Sequence, residues 1–233
     1  MKKVIYCLMS LFITLILSAA TVEAATVITS LPYTITTQGS YIINQNLTAN
    51  WHGIKVQANN VTIDLNGYSI AGNNTSGGYG VYMNGCSNVE IRNGTIRNFG
   101  SHGIYEESSS GKSHRVINVR VVNNKGSGIY LNGSNHMVKD CTASNNGFDG
   151  IYAADGCAVS GNTAYSNGNN GVSAGVACTV KNNTAYHNQY YGILLGGYNL
   201  VDGNTAYDNN QSGGEDYTNI SECATCVFGS NVQ

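Results

Sequence analysis

Residues 161–207 read GNTAYSNGNNGVSAGVACTVKNNTAYHNQYYGILLGGYNLVDGNTAY, in which the tetrapeptide Asn-Thr-Ala-Tyr occurs three times at intervals of 21 residues. A second marker, glycine followed by isoleucine or valine, recurs in step with it at Gly53, Gly80, Gly103, Gly128, Gly150, Gly171 and Gly192. Two markers that share one period are typical of a solenoid, in which each unit buries its apolar face only by stacking on its neighbours.

Each unit contains short runs that alternate apolar and polar residues, such as Asn88-Val-Glu-Ile-Arg92, between glycine and asparagine. This alternation has the period of a strand, and no unit contains a helical stripe. A coil of this length accommodates three short strands and three turns, and stacked coils pair in parallel about 4.8 Å apart. The sequence therefore predicts an all-β solenoid of roughly eight coils between Ile35 and Tyr207.

Three stretches carry a resemblance to a known group, namely Leu31–Tyr41, Asn60–Ile70 and Asn88–Ile96. They resemble the right-handed parallel β-helix proteins of the pectate-lyase-like superfamily, and more narrowly its secreted members with repeats of the carbohydrate-binding and sugar hydrolase type. The resemblance implies a right-handed parallel β-helix over nearly all of the mature chain. It does not specify an activity, because this fold carries lyases, hydrolases, epimerases, adhesins and accessory proteins.

The N-terminus has the pattern of a secretory signal. Lys2 and Lys3 precede an apolar run, and Val22-Glu-Ala24 provides small residues for cleavage. We therefore expect residues 1–24 to be a signal peptide, residues 25–233 to form one β-helix domain with 215–233 as its C-terminal cap, and the protein to be secreted or periplasmic. No later segment predicts a membrane span. A net charge of −2 argues against nucleic acid as a partner.

Residues at equivalent positions of stacked coils form columns along the axis. Period-2 alternation predicts an inward column of Ile63, Ile91, Ile117, Val138, Val159, Val180 and Val201. It also predicts outward rows of tyrosine, one of Tyr82, Tyr105, Tyr130 and Tyr152 and another of Tyr165, Tyr186 and Tyr207. Stacked rings cover one another's faces, so these rows are either a stabilising ladder or a surface for sugar rings.

The candidate glycan-binding residues are Tyr82, Tyr105 and Tyr130, with Lys112 and Arg115 at the rim. The tyrosines lie in a line along the axis, parallel to an extended polysaccharide. The two cations belong to the densest charged segment of a chain in which only 10% of residues are charged. They could contact the carboxylates of an acidic polysaccharide.

Two pairs of cysteines are candidates for disulfides. Cys157 and Cys178 share one slot on adjacent coils, where they could be bridged or could stack as reduced thiols. Cys223 and Cys226 lie near the C-terminus, and we expect a disulfide there because a signal peptide leads to an oxidising compartment. The CxxC spacing lacks a second ligand pair, so the sequence predicts no metal site and no cofactor.

Two constellations could carry catalysis, and both have a structural alternative. His102, Glu106, Glu107, Lys112, His114 and Arg115 cluster in one coil, either as acid–base groups for elimination from a uronic acid or as a solvated loop. Ser166, His187 and Asp208 share a slot on three coils and resemble a nucleophilic relay. The same slot is polar in earlier coils, which favours a turn position.

The sequence thus favours a structural or glycan-binding scaffold of the cell envelope. The alternatives are a polysaccharide lyase, epimerase or hydrolase that acts on an acidic polymer, and an accessory protein that binds a periplasmic partner. The oligomeric state is left open by these patterns.

Overall fold

The computed structural model describes residues 24–74, 77–214 and 218–233, so the predicted signal peptide lies outside the described residues except for Ala24. Within these ranges the chain forms short strands joined by turns, and the ladders between strands are parallel. No helix in the described ranges is long and apolar enough to cross a membrane. The fold is a right-handed parallel β-helix, as the sequence predicted.

The strands are, in chain order, β1 (Thr26–Ile28), β2 (Tyr33–Ile35), β3 (Gly39–Ile43), β4 (Leu47–Ala49), β5 (Ile54–Val56), β6 (Val61–Asp64), β7 (Ser69–Gly72), β8 (Val81–Met83), β9 (Val89–Arg97), β10 (Ile104–Glu106), β11 (Arg115–Val122), β12 (Ile129–Leu131), β13 (Met137–Lys139), β14 (Thr142–Ser144), β15 (Ile151–Ala153), β16 (Ala158–Ser160), β17 (Thr163–Tyr165), β18 (Val172–Ala174), β19 (Thr179–Lys181), β20 (Thr184–Tyr186), β21 (Ile193–Leu195), β22 (Leu200–Asp202), β23 (Thr205–Tyr207) and β24 (Val227–Phe228).

Three faces result, and each full coil contributes one stretch to each face in turn. Face 1 contains β2, β5, β8, β10, β12, β15, β18 and β21, which agrees with the predicted eight coils. Face 2 contains β1, β3, β6, β13, β16, β19, β22, β24 and the first halves of β9 and β11. Face 3 contains β4, β7, β14, β17, β20, β23 and the second halves of β9 and β11. We call the bends between faces corners 1–2, 2–3 and 3–1.

The core is a set of apolar columns inside the coils. On face 2, Val159, Val180 and Val201 pair in register and are fully buried. A glycine precedes every strand of face 1 except β2, and a close approach between corner and core requires it. A Cβ built on Gly103 would lie 2.2 Å from Cγ1 of Val121 and 2.7 Å from the carbonyl oxygen of Gly128.

One register prediction was wrong. Ile117 was expected in the inward column, but Val116 pairs with Ile91 and Val138 there and is fully buried, while Ile117 is half-buried and faces outward. In this coil β11 runs through corner 2–3 without the Asn-Thr marker, so the repeat provides no local anchor. A one-residue error in alignment reverses the direction of every side chain in a strand.

The columns make a matched pair of variants informative. Val180→Asp should lower the free energy of unfolding by more than about 4 kcal/mol, because it buries an unpaired carboxylate between two valines. Lys181→Ala, on the solvent side, should change it by about 0.5 kcal/mol or less, although Lys181 lies 3.7 Å from Asp202. Urea denaturation of both variants measures the difference. Equal losses would mean that the inward and outward assignments are incorrect.

Candidate functional site

Aromatic side chains cover the middle of face 1 and the adjoining corner 3–1. One row consists of Tyr82, Tyr105, Tyr130 and Tyr152, the central residues of β8, β10, β12 and β15. A second row consists of His52, Tyr79 and His102, each of which directly precedes the glycine of its coil. We call these seven residues the aromatic patch. The period-2 alternation of the strand points the first row outward, and the corner directs the second row beside it.

The rings of the two rows interleave. Tyr79 stacks on Tyr105 with 4.6 Å between ring centroids, and His102 lies 4.9 Å from Tyr105 and 5.2 Å from Tyr130. Tyr130 in turn stacks on Tyr152 at 4.5 Å. The patch is therefore a continuous aromatic surface along the axis. Contacts of this kind stabilise the stacking of coils by about 0.5–1.5 kcal/mol each.

The orientation of the rings changes along the row. Tyr105 and Tyr130 are tilted by 47° to each other, unlike Tyr130 and Tyr152, which are tilted by 14°. Trp51 lies at the edge of the patch with its ring at 70° to that of His52, and the residue is 55% exposed. Parallel stacking therefore holds between Tyr130 and Tyr152, whereas Tyr105 and Tyr130 are tilted against each other.

Tyr82 carries the hydroxyl of the patch for which the described residues show a hydrogen-bond acceptor. The hydroxyl of Tyr82 donates to Glu107, whose carboxylate also accepts a hydrogen bond of 2.6 Å from Asn84, and the bond to Glu107 raises the pKa of Tyr82. Burial raises the pKa of Tyr105. The ammonium of Lys55 lies 5.7 Å from the ring centroid of Tyr82, within reach of a cation–π interaction.

His102 is held in one tautomer. Its Nδ1 accepts a hydrogen bond of 2.9 Å from the backbone N–H of Ser127, and burial lowers the pKa of His102 to about 4. The ring is therefore neutral near pH 7, and its proton is on Nε2. His102 presents a donor to the patch rather than a base.

The structure does not bring together all of the predicted binding residues. Tyr82, Tyr105 and Tyr130 are neighbours, as expected. Lys112 lies in corner 1–2 with an exposed side chain, where its backbone bridges to the coils before and after it. Arg115 lies on face 2, where its Nε is 2.9 Å from Glu90. Arg115 is thus separated from the tyrosines by a corner and is already paired with a carboxylate.

The cluster predicted from His102 to Arg115 is divided between the surface and the core. Glu107 is exposed, whereas Glu106 and His114 are buried and meet a third residue, His136, from the next coil. Neither an acid–base constellation nor a solvated loop describes this arrangement. Sequence analysis missed His136, Tyr79, His52 and Trp51. For Tyr79, His52 and Trp51 the signal was the aromatic ring just before a marker glycine, or a neighbour of that ring, whereas His136 carries no such marker.

The Ser166, His187 and Asp208 column is a row of turn residues. All three have positive φ, as do Asn98, Asn123 and Asn145 at the same corner of earlier coils. His187 lies 2.6 Å from Asp208, and the described residues show no hydrogen bond between His187 and Ser166. Ser166 and His187 line an open groove of about 930 Å³ along corner 3–1, whose other lining residues are mainly asparagine, glycine and glutamine. This groove lacks the tyrosine rings of the aromatic patch.

The cysteines occupy defined positions at corner 1–2 and in the C-terminal segment. Cys223 and Cys226 are joined by a disulfide with 5.3 Å between their Cα atoms. Cys157 and Cys178 are buried free thiols on adjacent coils. The backbone N–H of Cys157 donates to Sγ of Cys178 over 3.3 Å. In the structure, therefore, this pair is reduced and stacked.

The lowered pKa of His102 predicts a pH dependence of stability. Because the ring in the unfolded chain titrates near 6.5 and the folded ring near 4, the unfolded state binds more protons between these values. The contribution of His102 to the free energy of unfolding is therefore fully present above pH 6.5 and is lost as the pH falls towards 4. When the pH is lowered from 7 to 4.5, the urea concentration at the unfolding midpoint should decrease for the wild type. The decrease should be smaller for His102→Asn.

Asparagine is a matched replacement, because Asn170 occupies the same slot and accepts the N–H of Tyr191 over 3.1 Å. An equal fall in both proteins would show that His102 does not titrate as described.

The comparisons with known proteins agree with this architecture. The family model for the right-handed β-helix region matches residues 34–177, and no curated protein sequence matches the chain. Among solved structures, the periplasmic alginate epimerase AlgG superposes with a TM-score of 0.67 at 14% identity, over 84% of this chain and 50% of that one. The A-module of the Azotobacter vinelandii mannuronan C-5 epimerase AlgE4 has a TM-score of 0.59 at 14% identity, over 88% and 60%.

Pectate lyase Pel9A has a TM-score of 0.51 at 19% identity, over 84% of this chain and 69% of that one. The chain spans about half the length of AlgG, and at these identities the likeness concerns the fold alone. The family match covers more than half of the residues, in a chain whose ladders are parallel on all three faces. The protein therefore belongs to the family with a right-handed β-helix region.

Proposed function

We propose that this protein binds an extended polysaccharide along the aromatic patch, outside the cytoplasm. The observation that carries the proposal is the continuous row of rings on face 1 and corner 3–1, with a tilt between Tyr105 and Tyr130 and the exposed Trp51 at its edge. A sugar ring has an apolar C–H face and a polar rim. Tyrosine and histidine match this pattern, because each combines a flat apolar body with a hydrogen-bonding tip.

The dimensions of the patch suit a polymer rather than a single sugar. From Tyr82 to Tyr152 the row spans three coil steps, or about 14 Å at the usual strand spacing. The patch is an open surface, so a chain can enter and leave at both ends. This favours binding in the middle of a polymer over binding at its terminus.

A uronate polymer is the preferred ligand. The similar solved structures are named for alginate, mannuronan and pectate, which are polymers of uronic acids. Lys55 adds a cation beside Tyr82, and Lys112 adds an exposed one at corner 1–2. Glu107, which accepts from Tyr82, opposes them, so the attraction to carboxylates is modest. The periplasmic location in the name of AlgG and the expected signal peptide also support a secreted or periplasmic location.

A lyase or epimerase is the second candidate, favoured by the placement of His102 between Tyr105 and Tyr130. Removal of the C5 proton of a uronate requires a group that accepts a proton near pH 7. His102 carries its proton on Nε2, and burial raises the pKa of Tyr105 away from neutrality. The patch is thus equipped to donate hydrogen bonds, and binding fits its groups better than catalysis.

The test of binding compares Tyr105→Ala with Tyr186→Ala. Tyr186 stacks on two tyrosines at 5.0 and 5.3 Å in the equivalent row of face 3, so it is a matched control outside the patch. We expect alginate or polygalacturonate to bind the wild type. Tyr105→Ala should weaken binding about tenfold, since a central aromatic contact contributes more than 1 kcal/mol, and Tyr186→Ala should have less than a twofold effect.

Titration calorimetry measures both affinities, and melting temperatures verify that both variants are folded. Trp51 is the only tryptophan, so its fluorescence reports ligand at the edge of the patch. Equal effects of the two variants, or no binding of either polymer, would refute the proposal.

The contribution of charge is tested separately. Lys55→Ala should weaken uronate binding and reduce its salt dependence, because exposed charges are screened over about 10 Å at 0.1 M salt. Arg115→Ala should leave both unchanged, since Arg115 lies on another face and pairs with Glu90. The reverse order of effects would move the site to face 2. Appearance of unsaturated products by absorbance, or of C5-inverted residues by NMR, would establish the catalytic candidate instead.

A further inference from the structure

A buried carboxylate interrupts an apolar column inside the solenoid. Glu106 follows Met83 and precedes Leu131 in the inward column of face 1, and it is completely buried. His114 and His136, on the inner side of corner 1–2 of two successive coils, are buried with it. Their rings stack with 5.0 Å between centroids, and the ring planes are almost parallel, with an angle of 1° between them.

The three side chains have the composition of a metal site. Nε2 of His114 lies 3.1 Å from Oε1 of Glu106, and Nε2 of His136 lies 3.1 Å from Oε2. One ligand atom from each residue lies within 4.8 Å of the others. Two imidazoles and a carboxylate are a common ligand set for zinc and for iron. Nε2 of His136 is also buried without a hydrogen bond to the described residues, as expected of a nitrogen that would bind a metal.

Nδ1, the other nitrogen of each ring, shows whether Nε2 carries a proton or is free to bind a metal. Nδ1 of His114 accepts a hydrogen bond of 3.1 Å from the backbone N–H of Val89, and Nδ1 of His136 accepts one of 3.1 Å from the backbone N–H of His114. A nitrogen that accepts an N–H carries no proton of its own. A neutral imidazole with a bare Nδ1 has its proton on Nε2, and a protonated Nε2 cannot bind a metal. Metal binding would require Nδ1–H to face a backbone N–H.

Protons on both Nε2 atoms satisfy the carboxylate instead. Glu106 then receives the N–H of His114 at Oε1, the proton of His136 close to Oε2, and the backbone N–H of Gly133 at Oε2 over 2.8 Å. Burial alone would raise the pKa of Glu106, but the hydrogen bonds from His114 and Gly133 and the close contact with His136 outweigh it and lower the pKa to about 2. Gly111 leaves the space, because a Cβ there would lie 1.8 Å from Oε1.

We infer that Glu106, His114 and His136 form a clamp between two coils and not a metal centre. In this clamp an anionic carboxylate lies between two neutral imidazoles, each of which carries its proton on Nε2. The clamp ties the coil of Glu106 to the coil of His136. Tyr105 and Glu107, which flank Glu106 in the chain, face outward on the same coil. The inference is independent of the proposed function.

Wild-type protein provides the first test. Nitrogen-15 NMR of the imidazoles should show protonated Nε2 and unprotonated Nδ1 for both residues, assigned through His114→Asn and His136→Asn. Protein purified without chelators should contain far less than one equivalent of zinc, iron, manganese, copper or nickel, and EDTA should not change its melting temperature. Protonated Nδ1 atoms, or one equivalent of a metal that either substitution removes, would overturn the inference.

Substitutions provide the second test. Glu106→Met restores the residue of the preceding coil but leaves two imidazole N–H groups buried without an acceptor, and it should lower the melting temperature on the order of 10 °C. Adding His114→Asn and His136→Asn should recover at least half of that loss. Asparagine suits the column, since Asn199 accepts the N–H of Cys178 in it over 2.6 Å. A triple variant no more stable than Glu106→Met would contradict the clamp.

Discussion

A backbone N–H at each corner of a coil has no partner in the strand ladders, and the fold depends on giving it a buried acceptor. At corner 2–3, Asn183 accepts both the backbone N–H and the side-chain amide of Asn162, over 3.0 and 2.9 Å, and donates to the carbonyl of Val159 over 2.9 Å. An unsatisfied buried N–H costs about 1–3 kcal/mol, and the cost would recur in every coil. The repeat in the sequence is largely the record of this requirement.

The three corners meet the requirement with different residues. Corner 3–1 uses asparagine, as in Asn167, which accepts the N–H of Asn146 over 3.1 Å. Corner 1–2 uses a mixed column of His114, His136, Cys157, Cys178 and Asn199, each of which accepts the N–H of the preceding coil. Each of these residues places an acceptor atom within hydrogen-bond distance of the backbone N–H of the preceding coil. Histidines and cysteines that suggest chemistry when read in sequence are therefore structural acceptors in this column.

The sequence predicted the positions of side chains that recur from coil to coil. The predictions failed where a coil departs from the repeat. The Tyr rows and the Val159, Val180 and Val201 column follow from markers that recur in every one of their coils. Ile117 was misplaced because its coil lacks the marker. The inward direction of Glu106 follows from alternation after Ile104, but a buried carboxylate needs partners, and His136 lies 30 residues further along the chain. Nearness in sequence linked Glu106 to Lys112 and Arg115 instead, which the corner separates from it.

The same constraint determines where a function can reside. The described interior polar groups on these columns are engaged in ladders or in the Glu106 clamp, so recognition has to use outward side chains. Among these, two groups at the centre of the aromatic patch have their protons positioned by hydrogen bonds. His102 accepts from Ser127 and so offers Nε2–H, and Tyr82 donates to Glu107. A surface that offers rings and donors, with neither histidine nor tyrosine available as a base near pH 7, is organised for holding a polymer. It becomes a catalyst only if a bound uronate changes that protonation pattern.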